Sequence, residues 1–304
     1  MLSFATAQAQ TVTSPNGKVA VILELVEGGQ PCYRVLYEGQ DVVERSALGL
    51  KTNIGDFTQG LVLKEITQKA VSDTYQLRNI KQSCVDYEAT EAVATYALRD
   101  KPEMPVMDII FRVSDRDVAF RYKILPQKET RVCVVTEEAS GFALPEGTTS
   151  FLCPQSKPMG GFARTSPSYE TPYTCDEPVG KNGWGEGYTF PCLFKTAQDQ
   201  WVLISETGTD GGYVGCRLLN EQGGTYRIGF PQAGELNGAG ATSAAVALPC
   251  ETPWRTITVG PLANIVETTV AFDLVQPKYK ASQEYVYGKG SWSWIIGMDP
   301  SCNF

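Results

Sequence analysis

The chain has 304 residues, 42% hydrophobic and 20% charged, a composition that excludes a disordered or fibrous protein and suffices for a large buried core. A balance of 34 acidic residues against 26 Lys plus Arg gives a net charge of -8 and, with no basic patch interleaved with aromatics, argues against nucleic acid as a partner. No apolar run approaches the length of a membrane span.

In chain order, the opening MLSFATAQAQ runs from a short apolar piece into Ala7-Gln8-Ala9, the form of a signal-peptidase site, although no basic segment precedes it. Residues 1–10 read as residual signal peptide, which implies a secreted or periplasmic protein. The alternative is a polar terminus. From residue 11 to 274 the pattern is period two, broken by turn residues at short intervals, the mark of many antiparallel strands. KVAVILELV (18–26) and CYRVLYEGQDVVE (32–44) open the series, the latter with a turn at Glu38-Gly39-Gln40. DIIFRVSDRDVAFRYKIL (108–125) reads as two strands around Ser114-Asp115-Arg116-Asp117. Two more hairpins are predicted over 189–208, turning at Ala197-Gln198-Asp199, and over 211–230, turning at Gly223-Gly224. Only PLANIVETTVAFDL (261–274) carries apolar residues at helical spacing, through Leu262, Ile265, Val266 and Val270. So many strands with barely one helix predict an all-β fold of two packed antiparallel sheets, a large β-sandwich. Residues 275–288 have the Pro, Lys and polar content of a linker, and beyond them Ser291-Trp292-Ser293-Trp294-Ile295-Ile296 has the content of a buried strand. Nine widely spaced cysteines, none in a C-x-x-C pair, read as buried small hydrophobes rather than as a disulfide framework or zinc site.

The chain contains no histidine, which excludes Ser-His-Asp and Cys-His catalysis and His-ligated zinc within these residues. The glycines of NGWGEGY (182–188) lie between strands with no following helix, so they read as a loop and not as a phosphate cradle. What remains is carboxylates in aromatic, glycine-rich loops, the chemistry of sugar sites and hard cations. Glu170 stands between Tyr169 and Tyr173 in a Pro-flanked loop, where a solvated acid is the competing reading. Glu206 ends the apolar run WVLISET, a position suited either to function or to meeting water or an Arg. Trp254 and Arg255 read as a core Trp beside an ion-paired Arg, with sugar stacking as the lesser alternative.

SPNGKVAV (14–21), FRVSDRDVAFRY (111–122), YETPY (169–173), WVLISETG (201–208), TPWRTITVG (252–260) and GKGSWSW (288–294), in this order, resemble the N-terminal part of glycoside hydrolase family 97, a family of α-glucosidases and α-galactosidases. The resemblance implies a β-super-sandwich of the galactose-mutarotase-like kind over 11–274, a linker over 275–288, and at 289–304 the first strand of a truncated catalytic (β/α)8 barrel. It implies that the catalytic carboxylates belong to that barrel, which is missing from this chain, so no catalytic residue is assigned here. It also implies that Glu170, in an E-x-x-Y loop with Tyr173, lends one ligand to a calcium ion, and that Glu206, Trp254 and Arg255 lie on the side that faces an α-linked oligosaccharide. A free-standing carbohydrate-binding module and a protein-interaction module are the competing readings.

Overall fold

The computed structural model describes residues 9–77, 80–159, 172–180, 186–279, 282–283, 285–286, 288–293 and 301. The predicted hairpins are present. Gln30–Tyr37 pairs with Gln40–Ala47, and between them both Glu38 (φ 48) and Gly39 (φ 81) adopt the left-handed conformation that a two-residue hairpin turn requires. Pro105–Ser114 pairs with Asp117–Ile124, Tyr188–Lys195 with Trp201–Thr207, and Arg217–Asn220 with Thr225–Gly229. Of the expected 211–230 hairpin, residues 211–216 are not strand.

Strand pairing defines two layers. One runs, in spatial order, through Leu61–Gln76, Cys84–Leu98, Pro105–Ser114, Asp117–Ile124, Trp254–Gly260, Trp201–Thr207, Tyr188–Lys195 and Thr149–Pro154. The other runs through Gln10–Thr13, Val19–Val26, Gln30–Tyr37, Gln40–Ala47, Gly141–Ala143, Thr225–Gly229 and Arg217–Asn220. A bridge between Tyr188 and Leu218 joins them, so one antiparallel sheet folds back on itself as a super-sandwich. A smaller sheet of four strands, Ala244–Ala247, Val132–Glu138, Leu50–Thr52 and Gly55–Asp56, completes the fold.

The core between the layers is aromatic. Tyr33, Phe111, Phe120, Tyr122 and Phe142 are fully buried, with neighbouring ring centroids 5.3 to 6.3 Å apart. The buried hydroxyls are satisfied: Tyr33 donates to the Gly141 carbonyl at 2.8 Å, and Tyr122 accepts the Gly49 amide at 2.9 Å. Cys32, Cys133, Cys153 and Cys192 are buried, as their apolar surroundings predict, whereas Cys84 and Cys175 are exposed.

The helical expectation over 261–274 needs correction. Two short helices form, Leu262–Glu267 and Val270–Leu274, but Leu262 and Val266 are 48% and 61% exposed. What this segment buries is polar: Thr268, Thr269 and Asp273. The Thr268 hydroxyl donates to Asp117 Oδ1 at 2.8 Å and Thr258 donates to the same oxygen at 2.5 Å. Asp273 Oδ1 in turn accepts from the Tyr75 hydroxyl at 2.5 Å and from Thr269 at 3.1 Å. Hydrogen bonds to buried carboxylates, not an apolar stripe, dock the helices on the sheet.

Burial pushes Asp117 up to about 6, against the opposing effect of the Thr258 and Thr268 hydrogen bonds. The folded state therefore holds this proton more tightly than the unfolded chain, and the contribution of Asp117 to stability is complete below the ordinary carboxylate value and lost as pH rises from about 4 to about 6. The loss amounts to roughly 3 kcal/mol for a two-unit displacement. Asp117→Asn, which keeps the acceptor oxygen, is expected to match the parent at pH ~4 and exceed it by that order at pH ~7 in urea titrations. Equal stability of the two at both pH values would remove Asp117 as a titrating group.

Candidate functional site

Antiparallel register gathers the loops of interest at one end of the first layer. Trp201–Thr207 ends there with Glu206 opposite Arg255 and Thr207 opposite Trp254. Tyr188, at the start of its strand, lies opposite Pro154. Past Pro154, the Gln155 amide bonds to the Gly187 carbonyl at 2.8 Å and the Glu186 amide to the Gln155 carbonyl at 2.9 Å. The returning segment runs beside Thr149–Pro154, with Thr174 exchanging backbone and side-chain hydrogen bonds with Leu152 at 2.8 and 2.9 Å. Tyr173 is 74% exposed on this segment, and Glu170 lies outside the described residues.

Arg255 is fully buried in Trp254–Gly260, a strand in which all seven residues are buried because it lies between two others and is covered on both faces. Its Nε and Nη2 donate to the two oxygens of Glu138 at 2.9 and 2.7 Å, and its Nη1 donates to Glu206 Oε2 at 2.5 Å. The other Glu206 oxygen accepts the Cys216 amide at 3.0 Å and so ties the 208–216 loop to the strand end. One guanidinium thus faces two carboxylates. Burial works against its charge, but Glu138 and Glu206 more than offset this and raise Arg255 well above its ordinary value. Glu206 is pushed up by its burial, against the opposing charge of Arg255 and the Cys216 hydrogen bond. Both Glu206 oxygens are engaged inside the protein, which makes this cluster a fastening.

Trp254, on the opposite face of the same strand, is 2% exposed. The guanidiniums of Arg121 and Arg112 lie 4.3 and 5.5 Å from its ring, and Ile110, Ala119, Leu274 and Val275 pack around it. Charged pairs extend over this outer face: Lys69 and Arg112 with Glu91, and Arg121 with Glu251. The segment after the helices crosses this face, where Lys278 pairs with Asp210. Of the expected strand at 291–296, the residues from Trp294 onward lie outside the described residues, and Trp292 is 84% exposed.

The structure brings Glu206 and Arg255 together and sets Trp254 apart on the other face. Sequence reasoning passed over Glu138, Cys216 and Arg121, which complete these contacts. Among the described residues no group of three or more Cys, Asp or Glu could hold a metal ion. Glu170, the expected calcium ligand, lies outside the described residues. No described helix is long and apolar enough to cross a membrane, which says nothing of β-barrels.

With strand order and site in place, comparison with known proteins settles the family. The family description "Glycosyl-hydrolase 97 N-terminal" matches residues 12–277, and the chain belongs to this family as its N-terminal domain. A "Probable retaining alpha-galactosidase" of Streptomyces bingchenggensis (strain BCW-1) is 31% identical over 265 residues, which span 86% of this chain and 37% of that protein. The crystal structure of a β-arabinopyranosidase superimposes with a TM-score of 0.89 at 45% identity, covering 95% of this chain and 46% of that one. A family 97 enzyme of Pseudoalteromonas sp. strain K8, solved with panose, shares the fold with a TM-score of 0.72 at 21% identity, covering 88% of this chain and 38% of that one. The chain thus spans less than half the length of these relatives.

Proposed function

We propose that the chain is the non-catalytic sandwich of a secreted or periplasmic, calcium-dependent family 97 glycosidase acting on α-linked oligosaccharides. Its loop-bearing end lines one side of the active site, and Glu170 lends the calcium ion one carboxylate. The observation that carries this reading is the family match over residues 12–277, in a chain that spans less than half the length of the relatives compared. The gathering of the 155–159, 172–174, 186–187 and 208–216 segments at one end of the sheet supports a single face turned to a catalytic partner. The names of two relatives favour galactosides over glucosides: one is an α-galactosidase, and the arabinopyranoside named for the other matches an α-D-galactopyranoside without its hydroxymethyl arm when it is of the L series.

One carboxylate binds calcium poorly, since the ion takes six to eight oxygens. The 304-residue chain alone is therefore expected to show no tight calcium binding by calorimetry. In an enzyme carrying this domain together with its catalytic barrel, Glu170→Gln is expected to weaken calcium binding and turnover together, on the order of tenfold or more. Tight calcium binding by the isolated chain, unaffected by Glu170→Gln, would remove Glu170 from the site. In the same enzyme, nitrophenyl α-galactoside should be cleaved faster than α-glucoside, and the reverse order would overturn the galactoside assignment.

A further inference from the structure

The first layer ends on Leu61–Gln76, which pairs on one side with Cys84–Leu98 and on the other with no strand among the described residues. A free strand edge is a template for pairing with another chain unless proline, a bulge or like charge blunts it. Here the bulge lies early, between Leu63 and Glu65, and the strand beyond it contains neither Pro nor Gly. Residues 67–70 and 72–74 are all exposed. Register places Lys69, Val71, Asp73 and Tyr75 opposite Glu91, Ala89, Tyr87 and Val85, on the face that carries the outer ion pairs. Val71 and Tyr75 pack there on Val85, Tyr87 and Ala89, a small apolar cluster apart from the main core. The edge thus has an apolar centre at Val71, with a cation two residues before it and an anion two residues after.

We propose that this edge pairs antiparallel with the same edge of a second copy of the chain, about a two-fold axis through Val71. Residues directly opposite one another in an antiparallel pair share a face, so a strand that pairs with its own copy must set the axis on a residue. With the axis at Val71, residues 66–76 pair with their counterparts, Val71 meets Val71, Thr67 meets Tyr75, and Lys69 meets the partner's Asp73 twice. An axis at Lys69 would set Lys69 on itself and Glu65 on Asp73. An axis at Thr67 also joins opposite charges, Glu65 with Lys69, but the bulge confines it to residues 65–69. Charge complementarity over the longer pairing therefore selects the second copy as occupant and Val71 as the centre. Lys69 now pairs with Glu91 at 3.0 Å, but Arg112 also holds Glu91, at 2.9 Å, so turning Lys69 to the partner strands no carboxylate. None of this depends on the proposed function.

The test is sedimentation velocity on the 304-residue chain over a dilution series, where a reversible dimer with a dissociation constant on the order of 10 μM is expected. Lys69→Glu sets an acid against the partner's Asp73, and Asp73→Lys sets a cation against the partner's Lys69. Each is expected to weaken the dimer at least about tenfold. The double variant Lys69→Glu with Asp73→Lys restores opposite charges across the axis and should return the affinity to within about threefold of the parent. Because the two single variants reverse different charges, loss of folding in one leaves the other to decide, and recovery in the double variant is not expected of a merely destabilised chain. A parent that stays monomeric at about 100 μM, ten times the expected constant, would overturn the proposal. So would a dimer indifferent to both single variants, which would use another surface, or a double variant no better than the singles.

Discussion

Arg255→Met is expected to lower the unfolding free energy by about 3–5 kcal/mol, the usual consequence of stripping a buried charge of its partner. The side chains of Arg255 and Glu138 are 1% and 0% exposed, so the carboxylate left behind has no access to water. Glu206, at 14%, would lose its strongest contact but keep the Cys216 amide. The damage should therefore centre on Glu138, and the double variant Glu138→Leu with Arg255→Met should recover much of the loss, because it removes the stranded charge together with its partner. Urea denaturation measures both. A single variant within about 1 kcal/mol of the parent would mean that water or another cation reaches Glu138.

The second large effect concerns catalysis. Incubated with nitrophenyl α-galactoside, α-glucoside or β-L-arabinopyranoside in the presence of calcium, the 304-residue chain is expected to release nitrophenol only at the buffer rate. Glycoside cleavage needs two carboxyl groups about 5 to 9.5 Å apart on either side of the scissile bond, one able to give a proton and the other free to attack or to activate water. Glu138 and Glu206 are the two acids brought together at this end, and both are bound to the same guanidinium. Neither is free to change its bonding without opening the cluster. Turnover above the buffer rate, abolished by Glu206→Gln, would show that the cluster opens and that a catalytic pair lies within the sandwich.

The hairpins were legible because alternation and turn chemistry agree wherever one strand face is buried: Val113, Val118 and Phe120 are buried as the pattern predicts. The long strand Leu61–Gln76 was not, because it is exposed over most of its length and its sequence carries no alternation to read. Glu138 was hidden for a different reason. Counting by twos from Cys133 and Val135 sends Glu137 inward, but a bulge between Val135 and Glu137 shifts the phase and buries Glu138 instead. At 261–274 the apolar spacing pointed to a packed helix face, while the docking contacts came from threonines and an aspartate, residue types that periodicity counts as outward-facing. The ion-pair reading of Arg255 followed from its neighbours in sequence, yet both partners lie far away in the chain, at positions 138 and 206, and only the folded sheet names them.

Placing Trp254–Gly260 between Asp117–Ile124 and Trp201–Thr207 also bears on how the domain folds. The strand nearest the middle of the layer is the last of that layer's strands in chain order, and its neighbour on one side is well over a hundred residues upstream. Without Trp254–Gly260 in place, its two neighbouring strands lack a pairing partner on that side and Glu138 lacks its cation. Non-local pairing of this kind is slow and exposes strand edges in the interim. The demand for an accurate partner strand thus falls on a seven-residue segment, and the state before it docks is the one in which this domain is most open to misassembly.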